Sequence, residues 1–285
     1  MSFVPGKTVS SVWFDNGVMP RGQLRLNILK SVAQNMSRLS DLSFSQIGSV
    51  MEGEIDHVVI GPCFDWKQSD DGKLTVMSSG PFDSASAYLQ EHSAAGYGQN
   101  AWDKAETEIM QIIDVCLAAI TTKPGFTLTL PDFDSQNIMV DNNGTVTGFI
   151  DLDLIQTMPR YVGYARYPAW ITRDWDPLMY GWPAMADTED APETLQRYRN
   201  YYNEELGKAL DRQGDWMLTE KSNIYEAMCI ASLRPMNRLE ICRKLVEEAL
   251  GDEVNGLHVL YDIGSGHCDE DDWEELVAVL KGLVS

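Results

Sequence analysis

The strongest structural signal in the chain lies in residues 130–153, which read LPDFDSQNIMVDNNGTVTGFIDLD. Two runs rich in apolar and β-branched residues, 138–140 and 146–150, flank a turn sequence that ends in Asn143-Gly144. An Asn-Gly pair between such runs is among the strongest local signals for a β-hairpin. The sequence therefore predicts a tight hairpin, with polar loops before and after it.

Three polar residues lie on those loops: Asp132, Asn137 and Asp151. Mg²⁺ takes oxygen ligands and is commonly held by one or two carboxylates together with substrate phosphates. A carboxylate can also orient a hydroxyl group and accept its proton. The order and spacing of these residues indicate a site that handles Mg²⁺ and phosphate, or one that performs acid–base chemistry.

The rest of the chain has mainly helical periodicity. Residues 57–79 differ, because two apolar runs flank Ser69-Asp70-Asp71-Gly72 and predict a surface hairpin. Helices are predicted from 24 to 39, from a cap at Asn100, and through most of the chain after Asp190, including one that restarts at Asn237 and one that follows Asp269. We therefore expect one α+β, mainly α domain over 1–285, with the small β-hairpin at the edge of its active site.

The composition excludes several classes of partner. Forty-three acidic residues against 22 basic ones give a net charge of −21, whereas nucleic acids and anionic membranes attract basic surfaces. No apolar run approaches the ~20 residues of a membrane-spanning helix, and the first residues lack the pattern of a secretory signal. The five cysteines are scattered and form no C-x-x-C pair. We expect an acidic, cytoplasmic protein whose partner is a small molecule.

The loops around the hairpin resemble the catalytic and metal loops of the aminoglycoside phosphotransferase and choline-kinase-like family, especially its fungal branch. The family pattern is His-x-Asp-x-x-x-x-Asn, a hairpin, and then Ile-Asp-Trp-Asp. Residues 44–49 (FSQIGS) and 163–177 (GYARYPAWITRDWDP) extend the resemblance. It implies a protein-kinase-like C-terminal lobe in which Asp132 is the catalytic base, Asn137 is a metal ligand and Asp151 is the main Mg²⁺ ligand.

The chain departs from the family pattern in two ways. Leu130 stands where the family has the histidine that holds the catalytic loop. Residues 1–20 resemble the hinge between two lobes, so we expect the N-terminal lobe, with its phosphate-covering loop and lysine, to be absent. The resemblance then predicts weak or no binding of Mg-ATP. It also predicts an exposed apolar surface that suits a homodimer or a local cover from the chain itself, formed by Phe3, Val4, Val12, Trp13 and Phe14.

Residues 160–183 are dense in aromatic side chains and also carry charges. A small-molecule pocket combines aromatic walls with a few fixed polar groups, although core packing also explains most of these rings. Together with two carboxylates of the loops, the segment supplies the predicted substrate-binding residues, which are Asp134, Asp153, Trp170, Arg173, Asp174 and Trp175.

Three functions stay open. The preferred one is a kinase-fold enzyme without its nucleotide lobe, which binds or transforms a small organic molecule by acid–base chemistry and needs no cofactor. The second is a Mg²⁺- and ATP-dependent small-molecule phosphotransferase, seen as a fragment or completed by a partner. The third is a non-catalytic pseudokinase that serves as a scaffold.

Overall fold

The computed structural model describes residues 4–15, 20–53, 57–68, 72–92, 98, 100–120, 123–153, 155–251 and 253–285. These residues form an α+β structure with small antiparallel sheets, as the sequence predicts. They group into two compact units whose segments alternate along the chain. The first unit comprises Met1–Tyr88, Thr122–Thr172 and Gly181–Ser222, and the second comprises Leu89–Thr121, Arg173–Tyr180 and Asn223–Ser285. The kinase-like lobe and the single domain over 1–285 stay predictions.

The helices follow the predicted periodicity. Asn100 and Asp269 cap two of them, accepting hydrogen bonds from backbone N–H groups of the first turn. The helix predicted to restart at Asn237 begins earlier, because Pro235 is well suited to a first helical position. Within the described residues, no helix has both the length and the apolar character needed to cross a membrane. The helices are α1 (Val9–Trp13), α2 (Arg21–Met36), α3 (Ala85–His92), α4 (Ala101–Ala119), α5 (Pro192–Ala209), α6 (Trp216–Thr219), α7 (Ser222–Leu233), α8 (Pro235–Leu250), α9 (Gly256–Ser265) and α10 (Glu270–Val284).

The described strands form three antiparallel sheets, with orders β1-β7-β8, β3-β2-β9-β6 and β4-β5. The predicted hairpin around Gly144 is confirmed as β7-β8, with Ile138 opposite Phe149. The strands are β1 (Lys7–Thr8), β2 (Gly48–Glu52), β3 (Val58–Gly61), β4 (Cys63–Gln68), β5 (Leu74–Ser79), β6 (Thr127–Thr129), β7 (Ile138–Val140), β8 (Val146–Phe149) and β9 (Gln156–Met158).

The surface hairpin predicted over 57–79 is shorter than expected. Strands β4 and β5 pair with each other from Cys63 opposite Ser79 to Gln68 opposite Leu74. Strand β3 pairs instead with β2, which precedes it in the chain. Pro62 separates β3 from β4 and has no backbone N–H to continue a ladder. The apolar run that begins at 57 is therefore divided between two sheets.

The apolar entry segment is buried rather than exposed. Val12 and Trp13 are 9% and 2% exposed and belong to the core of the first unit. The Trp13 ring packs edge-on against Trp170 and Tyr198, with centroids 5.8 and 5.3 Å away. Its Nε1 donates to Asp190 Oδ2 at 2.8 Å. The chain itself thus covers this segment.

The prediction of an exposed patch is therefore wrong for Val12 and Trp13, because residues far along the chain pack over them. Val4 and Phe14 are half-buried, and Phe3 lies outside the described residues. Trp170, Asp190 and Tyr198 lie far along the chain, so this burial is core packing rather than the local cover that the sequence predicts. Formation of a homodimer stays a prediction, but the buried residues of this segment no longer give a reason for it.

A buried ion pair fixes the segment that follows β9. Arg160 Nη1 lies 2.7 Å from Asp215 Oδ2, and the two side chains are 6% and 3% exposed. Nη2 of the same guanidinium donates to Ser43 Oγ at 3.0 Å. Burial and the neighbouring Asp215 raise the pKa of Tyr164 to about 12. The pair therefore anchors the start of the aromatic segment 160–183 within the first unit.

Candidate active site

Asp132 lies on an exposed turn between β6 and β7. One oxygen of its carboxylate is held by two amides, since Oδ2 accepts hydrogen bonds from Asn137 Nδ2 at 2.8 Å and Gln136 Nε2 at 2.9 Å. The other oxygen, Oδ1, accepts no hydrogen bond from any described residue. The carboxylate is thus fixed in orientation while Oδ1 stays available to a proton donor.

Asp134 shapes the turn that carries Asp132. Its Oδ1 accepts a hydrogen bond from the backbone N–H of Ser135 at 2.5 Å, at the start of a short 3₁₀ turn over Ser135–Asn137. The Asp134 N–H donates to the Asp132 carbonyl at 2.8 Å. The structure therefore places Asp134, a predicted substrate-binding residue, as the cap of the 3₁₀ turn that follows Asp132.

Asn137 connects the two acidic loops. Its buried side chain donates to both the carboxylate and the backbone carbonyl of Asp132. Its own backbone carbonyl accepts from the N–H of Ile150 at 2.9 Å, one residue before Asp151. The structure thus brings together the three residues predicted to be catalytic, and their catalytic roles stay predictions.

Asp132, Asn137 and Asp151 line one cleft of the first unit. Its volume is about 10 Å³, which is room for about one water molecule. Apolar side chains form the remaining walls, including Phe133 and Phe149. The cleft is therefore too small to enclose a small organic molecule.

Asp151 has an unusual backbone conformation. Its φ of 55° lies in the left-handed region, which Asp and Asn enter more readily than other residues that have a Cβ. The side chain is exposed and accepts no hydrogen bond from any described residue. Asp153 is also exposed. The position of Asp151 at the cleft is therefore held by the backbone rather than by partners of its carboxylate.

This conformation gives a prediction about stability. The free energy of unfolding of Asp151→Ala should be about 1 kcal/mol lower than that of Asp151→Gly, because Ala is strained in the left-handed region and Gly is not. Asp151→Asn should match the wild type closely. Denaturant unfolding measures all three variants. Asp153 is the control position, because it is not among the residues with positive φ. There, the Gly variant should be less stable than the Ala variant. Equal stability of Asp151→Ala and Asp151→Gly would contradict the left-handed conformation.

The predicted substrate-binding residue Trp170 is a core side chain of the first unit. It is 7% exposed, and its ring centroid lies 6.3 Å from that of Phe133. Trp170 therefore packs in the core, which is the alternative that the sequence left open for these aromatic rings. Its contact with Phe133 supports the loop that carries Asp132.

Arg173, Asp174 and Trp175 belong to the second unit. Arg173 is half-buried and donates to the carbonyl of Met179 at 2.9 Å. Asp174 and Trp175 are buried, and the ammonium of Lys244 lies 4.9 Å from the centroid of the Trp175 ring. The predicted substrate-binding set is thus divided between the two units, and local contacts account for Arg173 and Trp175.

Sequence reasoning missed Arg166. This residue is 8% exposed, and its Nη2 donates to the backbone carbonyl of Leu130 at 2.7 Å. Its guanidinium carbon lies 5.6 Å from the centroid of the Phe133 ring. The one sequence signal for Arg166 is its place among the aromatic residues of 163–177. A buried guanidinium needs several acceptors and often stacks on aromatic rings, so an arginine in such a segment is a candidate for this kind of contact.

The residues around the cleft offer oxygen ligands. The carboxylates of Asp132 and Asp151 and the side-chain carbonyl of Asn137 form a donor set that fits Mg²⁺. Within the described ranges, no three His, Cys, Asp or Glu side chains are grouped to hold a metal by themselves. A Mg²⁺ ion that also binds substrate phosphates needs only one or two carboxylates from the protein. Asp151 and Asn137 would hold such an ion.

Comparisons of the chain with protein-family models, with curated proteins and with solved structures each found no match. The resemblance to the aminoglycoside phosphotransferase family therefore depends on the sequence motifs, and the site is interpreted from its own geometry.

Proposed function

We propose that the protein is an aminoglycoside-phosphotransferase-like enzyme in which Asp132 acts as a general base on a small organic molecule that carries a hydroxyl group. The observation that supports this proposal most is the asymmetry of the Asp132 carboxylate. Two amides hold Oδ2, and Oδ1 has no donor among the described residues. A general base must be fixed in orientation and must have an oxygen within hydrogen-bond reach of the proton that it takes.

The chemistry follows from this arrangement. A substrate hydroxyl that donates to Oδ1 can transfer its proton to the Asp132 carboxylate, which becomes neutral while the hydroxyl oxygen keeps the electron pair of the broken O–H bond. Asn137 and Gln136 donate to the opposite oxygen of the carboxylate, fix its orientation and leave Oδ1 without a donor among the described residues. Positioned general bases accelerate such steps by ~10²–10⁴-fold.

The charges around the cleft favour certain substrates. Asp132 and Asp151 are exposed carboxylates at one cleft, and the whole chain carries a net charge of −21. Such a field repels anions and attracts cations. The proposed substrate is therefore neutral or cationic, and needs no anionic group for recognition.

A second candidate function is Mg²⁺- and ATP-dependent phosphoryl transfer, with the nucleotide held by residues outside those described here or by a partner. The observation that favours it is the placement of Asn137 and Asp151 beside Asp132 at one cleft. A Mg²⁺ ion held there would neutralise charge on the transferred phosphoryl group. Asp132 would accept the proton of the substrate hydroxyl in this reaction as well.

Metal and nucleotide titrations distinguish the two functions. Under the first proposal, calorimetry with Mg-ATP should give a Kd above ~1 mM, because repulsion opposes a polyanion and phosphate recognition needs several charge-assisted contacts. The melting temperature should also be the same with and without MgCl₂. The second candidate predicts that Mg²⁺ raises the melting temperature, that Asp151→Asn abolishes this rise and that the control Glu248→Gln, an exposed carboxylate of the second unit, retains it.

A micromolar affinity for Mg-ATP would contradict the first proposal and favour the second. The pseudokinase hypothesis makes a different prediction: small molecules bind, and no turnover depends on Asp132. Mass spectrometry of a panel of hydroxyl compounds incubated with the wild type and with Asp132→Asn tests this directly, since a product formed only by the wild type excludes a purely scaffolding role.

A further inference from the structure

We propose that Arg166 is a positioning residue that holds the loop carrying Asp132, an inference that rests on the proposed function of Asp132. The guanidinium of Arg166 donates to the carbonyl of Leu130 at 2.7 Å, two residues before Asp132. It also lies against the ring of Phe133, one residue after Asp132, with its carbon 5.6 Å from the ring centroid. One buried side chain thus contacts the loop on both sides of the proposed base.

A second contact holds the same loop from the backbone. The carbonyl of Phe133 accepts from the N–H of Ala169 at 2.9 Å, and Ala169 lies three residues after Arg166. Phe133 is 2% exposed, so its ring has little room to move. The loop from Leu130 to Phe133 is therefore attached at both ends to the stretch 166–169.

The chemistry of the side chains explains why an arginine has this role. The side chain of Leu130 offers no hydrogen bond that could hold the loop, so the polar anchor is the backbone carbonyl. A guanidinium is planar and always charged, and it can donate a hydrogen bond in its plane while a ring contacts its face. A lysine ammonium cannot make both contacts with the same geometry. The position of Asp132 should therefore be sensitive to Arg166→Lys.

The test uses the full-length chain and two variants, Arg166→Lys and Arg166→Gln. Hydrogen exchange should become faster by ~10-fold or more at the backbone amides of 132–137, which report on the loop directly. On the compound that the wild type converts, kcat should fall by ~10–100-fold with little change in KM, because a shift of about 1 Å in a reacting group can cost 10²-fold.

Arg199→Lys is the matched control. Arg199 is also buried in the first unit, and its Nη1 donates to the carbonyl of Ile171 at 2.8 Å. This variant should lower the stability of the protein and leave both kcat and exchange at 132–137 unchanged. A purely structural role of Arg166 would give the same result for Arg166→Lys, and that result would overturn the inference.

The failure of the inference can be distinguished from failure of the proposed function. Unchanged exchange at 132–137 in both Arg166 variants overturns the positioning role, whatever the activity. Faster exchange together with full turnover of Asp132→Asn supports the anchoring of the loop and overturns the role of Asp132 as base. Faster exchange with a lower kcat in Arg166→Lys supports both.

Discussion

Asp132→Asn is expected to lower kcat by ~10²–10⁴-fold, the usual contribution of a positioned general base. Asparagine has the same shape, and its side-chain oxygen can accept the hydrogen bonds that Asn137 and Gln136 donate to Oδ2. The fold should therefore remain while the group that accepts the proton is lost. Steady-state turnover measures the effect, and denaturant unfolding checks that stability is unchanged.

Glu248→Gln is the control for this experiment, because Glu248 is an exposed carboxylate on α8, in the second unit and outside the candidate site. Surface substitutions of this kind usually change free energies by less than about 0.5 kcal/mol, so turnover should stay within roughly a factor of two. Full turnover in Asp132→Asn would show that the acidic loops are not the active site. The aromatic segment 160–183 would then be the next place to search.

Arg160→Met is expected to lower the free energy of unfolding by about 3–5 kcal/mol, because it leaves the buried carboxylate of Asp215 without its partner. The two side chains are 6% and 3% exposed, so water cannot easily replace the lost contact. Methionine has a similar length, and the variant therefore tests the charge and hydrogen bonds more than the packing. Denaturant unfolding at neutral pH measures the change.

Arg243→Met is the matched control for an ion pair near solvent. Arg243 pairs with Glu240 and Glu247, and these side chains are between 27% and 32% exposed. Exposed pairs of this kind contribute about 0–1 kcal/mol, so the control should lose much less stability than Arg160→Met. Equal losses in the two variants would mean that the Arg160–Asp215 pair is not buried as described.

The features that the sequence predicted well depend on contacts between near neighbours. The β7-β8 hairpin follows from the turn around Gly144, and the caps at Asn100 and Asp269 follow from side chains that bond the first helical turn. The close approach of Asp132 and Asn137 also comes from one short turn. For such features, local side-chain chemistry is sufficient.

The features that the sequence did not predict depend on partners far along the chain. Trp13 is covered through contacts with Trp170, Asp190 and Tyr198, and no local pattern identifies those partners. Arg166 binds a backbone carbonyl, which every residue possesses, so composition alone cannot indicate its role. The same limitation explains why an exposed patch was expected at a segment that is part of the core.

The alternation of the two units along the chain has a consequence for how the protein is made. The first unit needs segments on both sides of Leu89–Thr121, and the second needs Asn223–Ser285 as well as that internal segment. During synthesis, the first unit therefore has all its segments only when the chain has reached Ser222. Helix α4 lacks its partner helices until the last part of the chain has been made. Burial that depends on such distant segments comes late and after costly loop closure. A chain shortened to Ser222 keeps every segment of the first unit but also carries parts of the second, and nascent chains shorter than about 222 residues should rely on chaperones to protect their apolar surfaces.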